Sequence, residues 1–377
     1  MGWSTWCTDD PFCAFDTCDE VEVRSIADAL VDSGLSKLGY TTILLDDCWA
    51  DFNRTAEGKL QPLPKTFPSG IPALVRYLGD RGLGLGLYTD VGTTTCRKGR
   101  PGSYGHYETD AATFAEWGLS YVKIDNCARP GGKTEVELYS AFSAALNATG
   151  HPMYIGMCEW GDNHPEEWAP AIVQGYRVQQ DHLPFAKFPP LAAGAGLGQG
   201  VVDVIEYMAY LQPSRHVAPY AWMDPDFLMT MYEPTMPRGV SRMEFSMWAM
   251  WSAPLITATD VRHMSHDKRE ILTNTEVLAI HSDPLWHAAD LVANVSGGHV
   301  WARPLADGDI AVALLNFHDF LPRILKFDFA AVGWPAGQSA ELRDLWAHAS
   351  LGVHSTGYAH TVGPLDLLLV RMSKAQR

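Results

Sequence analysis

Eight short apolar runs, separated by stretches of helical periodicity, constrain the fold of this chain more than any other feature. They are "GWSTW" (2–6), "YTTILLDD" (40–47), "GLGLGLYTD" (82–90), "YVKIDNC" (121–127), "PMYIGMCEW" (152–160), "GYRVQQD" (175–181), "PYAWMDPD" (219–226) and "APLITATD" (253–260). Before the second run, Val23, Ile26, Leu30 and Val31 recur at helical spacing. "GIPALVRYLGDRG", "DAATFAEWGL" and "EVELYSAFSAALNATG" precede the next three. Strands that alternate with helices pair in parallel. Eight such units in about 260 residues are the count of a (β/α)8 TIM barrel.

After about residue 288 the texture changes. "HVWARPL", "DIAVALLNF", "LKFDF", "SAELRDLW" and "TVGPLDLLLVRM" are short strands broken by Gly, Pro and Asp, with no helical period between them. The sequence therefore predicts a barrel over residues 1–288 and an antiparallel β-sandwich over 289–377, an α/β architecture of two domains.

Within "YVKIDNC", alternation puts Tyr121, Lys123, Asp125 and Cys127 on one face. Barrel enzymes hold their catalytic groups at the C-terminal ends of the strands, and polar residues collect at those ends here. They are Trp6, Asp46 and Asp47, Tyr88 and Asp90, Lys123 and Asp125, Glu159, Arg177 and Asp181, and Asp224 and Asp226. One aspartate at a strand end is an ordinary turn or helix-cap residue; the same pattern at seven ends is not.

A carboxylate cluster in a barrel mouth suits either metal binding or glycoside hydrolysis. The fourteen histidines show no HxH or HExxH spacing. Asp46 and Asp47, adjacent in a strand, point to opposite faces, which is poor geometry for one ion. Glycoside hydrolysis needs only one carboxyl as nucleophile or base and one as acid, so neither metal nor cofactor is expected. The net charge of −16 argues against nucleic-acid or anionic-membrane partners. The uncharged run Phe245–Thr259 holds 15 residues, short of the ~20 that span a bilayer.

Seven cysteines and three N-x-S/T sequons (Asn53, Asn147 and Asn294), among seven asparagines where chance gives roughly one, point to the secretory route. The destination expected is secreted, lysosomal or vacuolar. No signal peptide is visible, and a secretory protein is expected to have shed one.

Several long motifs resemble the α-galactosidases of glycoside hydrolase family 27, the melibiases. They are "GWSTW", "LDDCW" (45–49), "FPSGIPAL" (67–74), "LGLYTDVGTTTC" (85–96), "YVKIDNC", "CEWG" (158–161), "WMDPDFL" (222–228) and "SAPL" (252–255). The resemblance runs over nearly the whole chain and implies the same barrel followed by a β-sandwich. It implies that Asp125 is the nucleophile of a retaining double displacement and Asp181 the acid/base. Lys123 and Arg177 would favour the charged nucleophile and hold sugar hydroxyls. Asp46 and Asp47 would grip the 4- and 6-hydroxyls, Trp6 would stack on the sugar, and Tyr88, Glu159 and Asp226 would complete the pocket. It also implies a disulfide between Cys96 and Cys127 bordering the site. Cys48 is then expected to pair with one of Cys7, Cys13 and Cys18, the other two with each other, and Cys158 to be a buried free thiol.

The chain departs from the family pattern at Tyr176, His182, Phe227 and "QPSRHVAPYAW" (212–222), which bears on aglycone preference. His182 is expected to be a satisfied core histidine rather than a tuner of the acid/base. Family relatives act on α-galactose, α-N-acetylgalactosamine or β-L-arabinopyranose. A bulky Glu159 should exclude a 2-acetamido group, and aspartate rather than glutamate at 47 leaves room for the 6-hydroxymethyl, so α-galactosides are the expected substrates. Their carrier, whether oligosaccharide, polysaccharide or glycolipid, and any homo-oligomer are left open. The alternative of another class is a galactose-binding protein that kept the pocket without turnover.

Overall fold

Each of the eight apolar runs contains a strand, in chain order. The structure is a computed structural model that describes residues 1–6, 18–97, 99–187, 198–295 and 297–375. The strands are β1 (Gly2–Ser4), β2 (Thr42–Leu45), β3 (Gly84–Asp90), β4 (Tyr121–Asp125), β5 (Tyr154–Met157), β6 (Gly175–Arg177), β7 (Trp222–Asp224) and β8 (Ile256–Thr257). They form one sheet in the order β7-β6-β5-β4-β3-β2-β1-β8, with every neighbouring pair parallel. That is the strand order of a (β/α)8 barrel.

Most strands stop short of the run that predicted them. β2 ends at Leu45, β4 at Asp125 and β5 at Met157, so the polar residues that follow leave the ladder and turn into loops. Local chemistry fixes the intervening helices. Asp19 caps helix Glu20–Asp32 by accepting from Val21 N and Glu22 N, and Thr134 with Glu137 closes a capping box on helix Glu135–Ala148. The latter helix begins nine residues after Asn126 and so ends the loop that leaves β4.

The chain divides into two compact units. The first is Met1–Gln180, Tyr220–Phe227 and Ile256–Met264, which holds all eight parallel strands; the second is Asp181–Pro219, Leu228–Leu255 and Ser265–Arg377. The second contains helices Val201–Leu211 and Arg238–Met250, which the sequence pattern did not reveal. From residue 290 onwards the regular elements among its described residues are strands: β9 (Asp290–Val295), β10 (Gly298–Pro304), β11 (Ile310–Asn316), β12 (Arg323–Asp328), β13 (Ala340–Asp344), β14 (Ala349–His354), β15 (Gly357–Val362) and β16 (Asp366–Lys374). A six-stranded antiparallel sheet, β14-β13-β16-β11-β10-β9, faces the two-stranded pair β12-β15. Val300, Val312, Leu314, Leu342 and Val370 from the large sheet meet Leu325, Phe327 and Val362 from the small one in a common core. Both inner faces bury alternating apolar residues, which makes this the expected sandwich.

Candidate active site

The C-terminal ends of β2, β3, β4 and β6, with the loops that follow them, bring most of the predicted residues of the first unit into one network. "LDDCW" supplies four separate tethers. Asp46 Oδ2 accepts from Lys123 Nζ at 2.7 Å. Asp47 Oδ2 accepts from Arg97 N at 2.7 Å. Cys48 is bonded to Cys18, and Trp49 Nε1 donates to Tyr88 O at 2.9 Å. Strand alternation does not separate Asp46 from Asp47, because β2 has ended before them; both are buried, and Asp47 N donates to Asp46 Oδ1.

β3 and β4 are in register, Tyr88 beside Lys123 and Asp90 beside Asp125. Lys123 is in turn opposite Gly156 on β5. A Cβ there would stand 2.2 Å from the Tyr121 hydroxyl, so a side chain would have to displace that ring. The Tyr88 hydroxyl donates to Asp125 Oδ2 at 2.9 Å, and Asn126 N donates to Oδ1 at 3.2 Å. The loops after the two strands are stitched together: Val91 N donates to Asp125 O, Cys127 N to Asp90 Oδ2 and Thr93 N to Ala128 O. The Cys96–Cys127 disulfide closes the same seam. Asp90, which the strand-end pattern placed beside the catalytic candidates, thus binds backbone N–H groups of Gly92 and Cys127 and serves the loop architecture.

Lys123 is sandwiched by aromatics. Its Nζ lies 5.0 Å from the Trp6 ring centroid, 5.3 Å from Tyr88 and 4.9 Å from Phe227. Trp6 and Phe227 are themselves 6.5 Å apart. Burial alone would lower the lysine pKa, but the carboxylate of Asp46, with further help from Asp125 and Asp226, holds it above the usual value. Rings around a fixed cation present flat apolar faces beside strong hydrogen-bond donors and acceptors, which is what a sugar requires.

On the other side, Arg177 Nη1 pairs with Asp226 Oδ1 at 3.0 Å. Asp226 N donates to Asp224 Oδ1, and Arg177 Nη1 reaches the Cys158 thiol at 3.5 Å. Lys123, Gly156, Cys158, Arg177, Asp224, Asp226 and Phe227 line one small cavity with Tyr121 and Met157. Asp224 is a residue whose strand-end signal was visible but to which no role had been given; burial pushes its carboxyl up to about 6. Burial does the same to Asp47 and Asp90, each pushed up to about 6. Cys158 is a buried free thiol, as expected, while Cys7 and Cys13 lie outside the described residues.

Glu159 stands apart from these pairs. It follows β5 by two residues, is 0% exposed, and neither carboxylate oxygen has a hydrogen-bond partner. Burial pushes its carboxyl up to about 8, with smaller contributions from Asp162 and Glu166 and an opposing one from Arg129. With no exposed surface, Glu159 is not among the residues that line the small cavity.

Asp181 opens the second unit. It is half-buried, and its main-chain oxygen accepts from Gln199 N at 2.8 Å. His182 beside it is fully buried and paired with Glu244, the satisfied core histidine the sequence suggested.

Residues 1–283 match a family profile described as alpha galactosidase A, and residues 296–372 match the alpha galactosidase C-terminal beta sandwich domain. The chain is 36% identical to an alpha-galactosidase of Oryza sativa subsp. japonica, over 97% of this chain and 82% of that one. It is 37% identical to an alpha-galactosidase of Cyamopsis tetragonoloba, over 93% and 80% respectively. In three dimensions it is similar to alpha-galactosidase I of Mortierella vinacea, with a TM-score of 0.93 at 29% identity, covering 100% of this chain and 96% of the other.

Proposed function

This chain belongs to the α-galactosidase family of glycoside hydrolases, and from that premise we propose that it removes terminal α-D-galactosyl residues by double displacement. Asp125 attacks the anomeric carbon while Asp181 protonates the departing oxygen. Asp181, now a carboxylate, takes a proton from water, and that water displaces Asp125 from the sugar. The observation that carries the reading is the buried Asp125 carboxylate, which Tyr88 orients at 2.9 Å beside the Lys123–Asp46 pair. Tyr88 engages Oδ2 and stabilises the carboxylate both before attack and as it leaves.

Recognition of the sugar is assigned to Trp6 and its aromatic neighbours for the apolar face, and to Asp46, Asp47, Lys123, Arg177 and Asp226 for the hydroxyls. Asp47, a methylene shorter than glutamate, favours a sugar with a 6-hydroxymethyl group. Glu159, fully buried, fills volume that a 2-acetamido group would need. The disulfides Cys18–Cys48 and Cys96–Cys127 support passage through an oxidising compartment. Among the described residues no helix is long and apolar enough to cross a membrane.

The test is release of p-nitrophenol from the α-galactoside, alongside the α-N-acetylgalactosaminide and β-L-arabinopyranoside, with Asp125→Asn as control. Turnover of the galactoside alone, lost in Asp125→Asn while galactose still binds, is expected. Binding without turnover in the unaltered protein would instead make it a galactose-binding protein.

A further inference from the structure

His182 and Glu244 are both 0% exposed, and both lie in the second unit. The histidine Nε2 is 2.9 Å from Glu244 Oε1, and its Nδ1 is 3.2 Å from the main-chain oxygen of Gln199. A carbonyl oxygen only accepts, so Nδ1 carries a hydrogen. A further proton then lies between Nε2 and Oε1, whichever of the two atoms holds it. Glu244 is engaged on every side: Oε1 also accepts Met229 N–H at 2.6 Å, and Oε2 accepts the Thr230 hydroxyl at 2.8 Å. The imidazole packs on Trp248 with ring centroids 5.4 Å apart.

A charged carboxylate without solvent is costly unless its oxygens are partnered. Here the partners come from two stretches far apart in sequence. One is His182, directly after Asp181. The other is Met229–Thr230, three and four residues after Asp226 in the chain. The main chain around His182 is fixed independently, since Gln199 N donates to Asp181 O and Leu183 N to Gln199 O, each at 2.8 Å. The side-chain contact to Glu244 adds what that bridge lacks, a rotation-resistant anchor one residue from the carboxyl that must move a proton. Nothing in the hydrolysis itself requires a buried acid in helix Arg238–Met250, so this anchor is unaccounted for by the reaction alone.

We propose that Glu244, acting through His182, is a positioning residue that aims the Asp181 carboxyl at the leaving-group oxygen. The proposal rests on the reading of Asp181 as acid/base.

The experiment compares kcat/KM for 2,4-dinitrophenyl α-galactoside, whose phenolate departs unassisted, with that for methyl α-galactoside, whose oxygen must be protonated. Asp181→Ala sets the scale: it should lose about a hundredfold or more on the methyl glycoside and little on the dinitrophenyl one. Glu244→Gln and His182→Asn should show the same selectivity at smaller size, about tenfold on the methyl glycoside only. Two variants are used because one of them can fail to fold, which thermal melting reports. A folded variant that loses both substrates equally, or neither, overturns the proposal and leaves the acid/base reading standing. If Asp181→Ala is itself unselective, the acid/base reading falls and the proposal falls with it.

Discussion

The Tyr88 hydroxyl donates to Oδ2 of Asp125 at 2.9 Å, and the register of β3 on β4 brings the two within reach. Tyr88 sits opposite Lys123, two residues before Asp125, and its long ring reaches along the strand to the carboxylate. Burial first, and then the surrounding carboxylates, push the phenol pKa far up, so it stays a donor at any working pH. The Asp125 carboxylate is therefore oriented by a phenol that stays protonated.

Tyr88→Phe keeps the ring and removes that donor. A hydrogen bond to a charged acceptor contributes about 2 kcal/mol. The expected result is a fall in kcat of about tenfold to a hundredfold on p-nitrophenyl α-galactoside, with galactose affinity nearly unchanged. A kcat within twofold of the unaltered enzyme would show that Asp125 does not depend on Tyr88.

Asp46→Asn should act on stability as well as on binding. It leaves the Lys123 ammonium, with a side chain 7% exposed, without its 2.7 Å partner. Breaking one half of a buried pair costs about 3 kcal/mol. Urea unfolding should show a loss of that order, and galactose titration should show binding abolished. Loss of binding at full stability would mean that Asp46 serves the sugar alone.

Much of this site was legible because its chemistry is local. Strand alternation placed Lys123 and Asp125 on one face, and the polar strand ends marked Asp46, Tyr88, Arg177 and Asp226 before any contact was known. What alternation could not provide is which charge meets which. Lys123 pairs with Asp46, 77 positions away, and not with its strand neighbour Asp125. Helix Arg238–Met250 was missed because it is buried from Met243 to Met250 without interruption, which erases the apolar stripe that betrays a helix. Val201–Leu211 was missed for a related reason, since "VVDVIEYMAYL" opens on β-branched residues that read equally well as strand. β14, with four of its six residues exposed and none buried, offers no apolar alternation to detect.

Cys127→Ser tests the seam between the loops after β3 and β4. The Cys96–Cys127 bond spans 31 positions, and closing a loop of that length stabilises by about 3 kcal/mol through the unfolded chain. Because Cys127 is two residues past Asp125, the substitution should also lower kcat, by about threefold to tenfold. Denaturation and steady-state kinetics on the same preparation separate the two effects. A stability loss with kcat intact would make the disulfide a brace for the fold and nothing more for the site.

Glu159 gives the chain a pH dependence whose sign follows from its burial. Its carboxyl is pushed from the ordinary 4.5 up to about 8. Between those values the unfolded chain has lost the proton and the folded protein still holds it. Unfolding therefore releases a proton, and stability falls as pH rises through the window. The contribution is complete below about 4.5 and exhausted above about 8. Asp47, Asp90 and Asp224, each raised to about 6, pull in the same direction but only over the lower part of that range. Glu159→Gln cannot ionise, so the difference between the two proteins cancels those aspartates and isolates Glu159. Urea midpoints at pH 5 and pH 8 should show the unaltered protein losing about 3 kcal/mol more than Glu159→Gln over that interval. Parallel losses in the two proteins would place an ionised, solvated carboxylate at 159 where a neutral acid is expected.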